Sequence, residues 1–153
     1  MAELLFYHLE RARLEAVLPD LLEKSRARGW RVHVQTGDAE AAERLDAHLW
    51  TYRDEAFLAH GRAGADDETG ARQPIWLSAE PEAPNAPDVL FLVAGAARGA
   101  DALADYARAV LIFDDDDGPA RDRARVLWKE AREAGLEATY WRQSEAGRWE
   151  KQG

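Results

Sequence analysis

Val89-Leu90-Phe91-Leu92-Val93 and Ala109-Val110-Leu111-Ile112-Phe113 are unbroken apolar runs. A strand with one face in water alternates apolar and polar residues, whereas a continuous run marks a strand covered on both faces. The two runs therefore predict the centre of a sheet with helices on either side. Upstream, Glu3 to Leu9 (ELLFYHL) reads as a buried first strand. Leu14, Val17, Leu18, Leu21, Leu22 and Ser25 then recur at helical spacing, and Gly29 follows as a stop. Trp30 to Thr36 (WRVHVQT) alternates, with Arg31 and His33 facing away from Val32 and Val34. Gly37-Asp38 leads into a second helix that ends near Trp50.

Two stretches, Gly61 to Gln73 and Ala79 to Pro87, read as surface loops around Ile75-Trp76-Leu77, with Trp76 in the core. Downstream of the second central run, Arg121 to Ala134 has helical periodicity, Gly135 closes it, and Leu136 to Gln143 reads as a further strand. Alternating strands and helices predict an open, largely parallel α/β sheet in a Rossmann-like three-layer arrangement. A length of 153 residues predicts one domain over 1–153.

The composition is globular, with 46% hydrophobic and 32% charged residues, and cysteine is absent. That removes disulfides, thiolate metal ligands and cysteine nucleophiles. Met1 to Leu9 runs directly into a strand without a charged leader, and no apolar run approaches the length of a membrane span, so a cytoplasmic protein with no membrane contact is expected. A net charge of −9 repels polyanions and argues against a DNA-coating role.

Motifs for catalysis are weak. Gly95-Ala96-Ala97-Arg98-Gly99 follows a strand but lacks dinucleotide-binding spacing, and no P-loop is present. His8, His33, His48 and His60 lie on four segments without zinc-site spacing and are expected at the surface or half-buried, and no serine sits in a nucleophile turn. Asp114 to Asp117 is the one run that could support Mg²⁺-dependent phosphoryl transfer, since it ends a central strand. The competing reading makes Asp117 a helix cap, Gly118 a turn residue and Pro119 the first helical position.

Positive charge is concentrated late in the chain. Arg121 to Lys151 holds eight Lys or Arg against six Asp or Glu, while the rest of the chain holds twelve against twenty-three. On a helix of 3.6 residues per turn, Arg121, Arg125, Lys129 and Arg132 fall within roughly 80° of one another. Trp128 lies at the seam between them and the apolar stripe of Ala120, Ala124, Leu127, Ala131 and Ala134. Arg121 and Arg125, and Arg125 and Lys129, are like-charge neighbours that each cost a helix roughly 0.2–0.5 kcal/mol. Pairing of Asp122 with Arg125 and of Lys129 with Glu133 is expected to offset part of this.

A ridge of cations beside an indole suits an acidic peptide ending in a hydrophobic residue and a free carboxylate, with Phe113 as a further wall. Single-stranded nucleic acid stacking on Trp128, Trp141 and Trp149 is the alternative use of the same chemistry. Trp50, off the apolar face of Ala41, Ala42, Leu45 and Leu49, either packs locally with Phe57 where the helix end meets its loop or forms with it a second candidate docking patch.

These residues resemble the chi subunit of bacterial DNA polymerase III. The resemblance rests on Phe6-Tyr7-His8-Leu9, Arg44-Leu45-Asp46-Ala47-His48-Leu49-Trp50 with Phe57 and His60, Gln73-Pro74-Ile75-Trp76-Leu77-Ser78 and Asn85-Ala86-Pro87-Asp88-Val89-Leu90. It continues through Arg125-x-x-Trp128-Lys129-x-x-Arg132-x-x-Gly135, Tyr140-Trp141 and Gly147-Arg148-Trp149. The resemblance implies an α/β fold without catalytic residues or cofactor, in a subunit tied to the clamp loader. It implies binding to the acidic tail of single-stranded DNA-binding protein at positions matching Arg121, Arg125, Trp128 and Lys129, with Arg132 on the same ridge. Nucleic-acid contact would then be mostly indirect. Docking of a psi subunit, or another clamp-loader component, is implied at Trp50 and Phe57. The Gly61 to Gln73 loop and the Asp114 to Asp117 run lie outside the family's pattern, and Asp114 places negative charge that would weaken an acidic ligand nearby.

Overall fold

A computed structural model describes residues 3–10, 12–51, 58–146 and 148–152 of the chain. The elements run β1 (Glu3–Leu9), α1 (Leu14–Ala27), β2 (Val32–Gln35), α2 (Ala39–Thr51), β3 (Gly61–Arg62), a 3-10 turn (Asp67–Arg72) and β4 (Ile75–Ser78). Then come β5 (Val89–Leu92), α3 (Ala100–Leu103), β6 (Arg108–Asp114), α4 (Gly118–Glu133), β7 (Glu137–Gln143) and β8 (Trp149–Lys151). Among the described residues they form one eight-stranded sheet of order β3-β4-β2-β5-β6-β1-β7-β8. Every pairing is parallel except β7 with β8.

The unbroken apolar runs are β5 and β6, and they are central because helices cover both faces. Alternate residues of each strand feed two separate cores. Leu5, Leu9, Val32, Val34, Phe91, Val110 and Ile112 pack beneath α1 and α2. Leu4, Phe6, Leu90, Leu92, Leu111 and Phe113 pack beneath α3 and α4. Leu18 and Leu22 of α1 are fully buried, each worth about 1.5–3 kcal/mol relative to exposure. On α4 the stripe Ala120, Ala124, Leu127 and Ala131 is buried, and its small side chains let the helix lie close to the sheet.

The Gly61 to Gln73 loop is more ordered than its composition suggests. Gly61–Arg62 adds a short edge strand beside β4, and Asp67–Arg72 winds into the 3-10 turn, where Gly70 lets the ring of Pro84 approach. Three of the four histidines, His8, His33 and His60, are buried rather than exposed or half-exposed. His33 is buried because the face of β2 opposite Val32 and Val34 is covered too, with Trp76 and Leu90 as its cross-strand neighbours. Gly135 stops α4 in the left-handed region at φ 78°, where a side chain would be strained.

Chain connections diverge between neighbouring β1 and β6. From β1 the chain passes through α1 toward β2, and from β6 through α4 to β7 on the other side. Such a switch point opens a crevice at the carboxyl ends of the strands. A crevice of about 730 Å³ lies there, lined by Leu9, Arg13, Gly95, Asp114, Asp117 and Arg123 among others.

Candidate functional site

The helix bearing the cationic ridge begins three residues earlier than its periodicity suggests, at Gly118, because of its cap. Asp117 accepts a hydrogen bond from the Ala120 amide at 3.1 Å, and Pro119 sits in the first turn, where its missing N–H costs nothing. Burial pushes the Asp114 carboxyl up from its ordinary range, and the charges of Asp116, Asp117 and Glu15 push it in the same direction. Among the described residues no group of three or more His, Asp or Glu side chains is placed to hold a metal ion. Within the aspartate run, Asp117 starts the helix and Asp115 turns to His8.

Along one flank of α4, Arg121, Arg125, Lys129 and Arg132 are exposed and Trp128 is half-buried. Trp128 is neither interior nor free. Its ring meets Phe6 edge-on at 5.3 Å and Tyr140 edge-on at 6.0 Å, and the Arg132 guanidinium lies 5.6 Å over it. Such cation–ring contacts contribute about 0.5–1 kcal/mol at exposed sites. Arg121 approaches Asp115 at 3.9 Å. Among the described residues Arg125, Lys129 and Arg132 make no ion pair, so the expected Asp122–Arg125 and Lys129–Glu133 pairs are not formed. The ridge keeps its charge available.

The half-exposed ring beside Trp128 is Tyr140 rather than Phe113. Phe113 is buried and stacks on His8 at 4.8 Å, whereas Tyr140 stands half-exposed beside Trp128. This follows from register. Phe6 faces Leu111 on one side and Tyr140 on the other, so Phe6, His8 and Tyr140 point to the α4 side of the sheet. Trp141 and Trp149 point to the opposite side, against Tyr7 at 6.3 and 5.0 Å. The three tryptophans expected to share one nucleic-acid strand thus lie on two faces.

A hydrogen-bonded chain runs under the ridge. Asp115 Oδ1 is 2.7 Å from His8 Nε2, and His8 Nδ1 is 2.7 Å from the Tyr140 hydroxyl. The bond from His8 holds the Asp115 carboxyl below its ordinary range. Burial pushes the Tyr140 hydroxyl up, Arg142 opposes this, Glu10 and Asp115 add to it, and Arg125 opposes it more weakly. Beside it Arg142 donates two hydrogen bonds to Glu10, at 2.8 and 2.9 Å. Sequence periodicity could not find this set, because its members come from β1, the turn after β6, and β7.

Trp50 is 52% exposed, with its ring 4.5 Å from that of His60. His60 in turn contacts Asp46 at 2.9 Å. Phe57, assigned to the same patch, lies outside the described residues.

Fold and surface together define an open-sheet α/β protein that carries a basic, aromatic-edged helix flank on an acidic body. The chain belongs to the DNA polymerase III chi subunit, HolC, family, whose sequence model matches residues 1–139. A curated relative, a probable DNA polymerase III subunit chi from Rickettsia prowazekii (strain Madrid E), is 29% identical over 93 residues. The match covers 61% of this chain and 55% of that protein, about half of the relative's length.

Proposed function

We propose that the chain is a non-catalytic accessory subunit of DNA polymerase III in DNA replication. In this reading α4 grips the acidic C-terminal tail of single-stranded DNA-binding protein, and a second surface around Trp50 and Phe57 joins psi or another clamp-loader component. The carrying observation is the flank itself: Arg125, Lys129 and Arg132 stand exposed without acidic partners among the described residues, next to a half-buried indole. Carboxylates of a tail would meet these cations, and its hydrophobic end would rest on Trp128 and Tyr140. The mechanism is tethering, in which holding two partners together raises their effective concentration without any bond being made or broken. Family membership supports the replication setting.

Fluorescence anisotropy of a labelled acidic peptide ending in phenylalanine tests this reading. Lys129→Glu or Arg125→Ala should weaken binding about fivefold to tenfold while circular dichroism stays unchanged, because both side chains are solvent-facing. Binding should also weaken steeply as salt rises, since exposed charges are screened. Equal affinity for wild type and both variants would refute the assignment.

A further inference from the structure

We propose that the crevice at the carboxyl ends of β1, β5 and β6 is a small-molecule site for a phosphate monoester, with the phosphate at the Gly95 turn under the Arg123 guanidinium. The site shares no residue with the cationic ridge. Its volume of about 730 Å³ falls in the range of ligand pockets.

Four arginines line the crevice, and only one of them is occupied. Arg98 donates to Gln35 Oε1 at 2.7 Å, to the Tyr106 hydroxyl at 3.1 Å and to the Pro81 carbonyl. The side chains of Arg13, Arg44 and Arg123 are exposed and make no ion pair or hydrogen bond among the described residues. Carboxylates line the same crevice, yet Glu15, Asp114 and Asp116 pair with none of these guanidiniums. Burial pushes the Asp114 carboxyl up, and the charges of Asp116, Asp117 and Glu15 add to this with no cation to relieve them. Opposite charges thus share one crevice and stay unpaired, which leaves both sets to a ligand.

The Gly95 turn is where backbone can approach an anion. Gly95 has φ 90°, and the one atom within 4 Å of its Cβ position is the Arg123 Nη2, at 4.0 Å. The turn is pinned from behind, because the Gly37 amide donates to the Ala94 carbonyl at 3.2 Å and a Cβ on Gly37 would collide with that oxygen. Among the described residues the Gly95 and Ala97 amides have no acceptor. Three guanidiniums and two amides are more donors than the two oxygens of a carboxylate suit, whereas a phosphate turns its oxygens to several sides and takes Arg bidentately. Asp114 and Asp116 repel a second phosphate and instead accept from hydroxyl or amine hydrogens on the ligand's body. Leu92, Phe113 and Leu127 of the α4-side core give that body an apolar floor.

Amide and arginine side-chain NMR of the full chain, titrated at constant ionic strength with inorganic phosphate, adenosine monophosphate and pyrophosphate, tests the site. Phosphate should shift the Gly95 and Ala97 amides and the Arg123 Nε–H. Adenosine monophosphate should shift the same groups and bind about tenfold tighter, since its body adds contacts, and pyrophosphate should bind no tighter than phosphate. Arg123→Gln should weaken the monophosphate about tenfold and Arg44→Gln about threefold, with circular dichroism unchanged because both side chains are exposed. Arg72→Gln, in the 3-10 turn outside the crevice, should change nothing. Shifts confined to Arg125, Lys129 and Arg132, or none at all, would overturn the inference, as would equal affinity of wild type and Arg123→Gln. Pyrophosphate binding tighter than adenosine monophosphate would overturn the monoester assignment.

Discussion

His33 is a residue whose burial has a measurable consequence. It is fully buried, its Nε2 meets the Ser78 hydroxyl at 2.9 Å, and its Nδ1 has no partner. Desolvation, and secondarily the Arg98 charge, pull its pKa down to about 4. An unfolded histidine titrates near 6.5, so between these values the unfolded chain binds the extra proton and stability rises with pH. Stability linked to His33 is complete above about pH 6.5 and is lost as pH falls toward 4. Urea unfolding should show on the order of 2 kcal/mol lost between about pH 6.5 and 5, and His33→Gln should flatten that slope. An unchanged slope would show that His33 is not the group responsible. The alternation of Trp30 to Thr36 was legible, but the burial of His33 was not, because Trp76 and Leu90 cover it from distant strands.

At the scale of elements, α4 depends on its start. The Asp117 side chain satisfies one amide that would otherwise be orphaned, so Asp117→Ala should cost about 1 kcal/mol and lower Tm by about 2–4 °C. A thermal scan checks this, and an unchanged Tm would show that the cap contributes nothing. Long, strongly patterned elements could be read directly: β1, α1, β5, β6 and α4 carry continuous apolar runs or helical stripes. What escaped was short. Gly61–Arg62, Ala100–Leu103 and Trp149–Lys151 are too brief for a period to register, and each is set by pairing or packing against remote chain. The site divides in the same way. Arg121, Arg125, Trp128, Lys129 and Arg132 share one helix and one period, whereas Tyr140 joins them only through the β1–β7 register that places it beside Phe6.

Across the whole molecule, a cationic flank on a body of net charge −9 should favour short acidic ligands over long polyanions. A short acidic peptide can lie along α4 within the local positive field. A long polyanion would extend over the acidic remainder and be repelled, and its affinity would depend on phosphate neutralisation that this surface does not supply. A gel shift with single-stranded DNA alone should therefore show no retained complex at about 0.15 M salt, and a shifted band would favour direct strand binding. The most direct measurement is amide and indole NMR of the full chain titrated with the acidic peptide. The account predicts perturbations concentrated at Arg121, Arg125, Trp128, Lys129, Arg132 and Tyr140, including the Trp128 indole N–H. Perturbations confined to the crevice at the ends of β1 and β6, or none at saturating peptide, would contradict it.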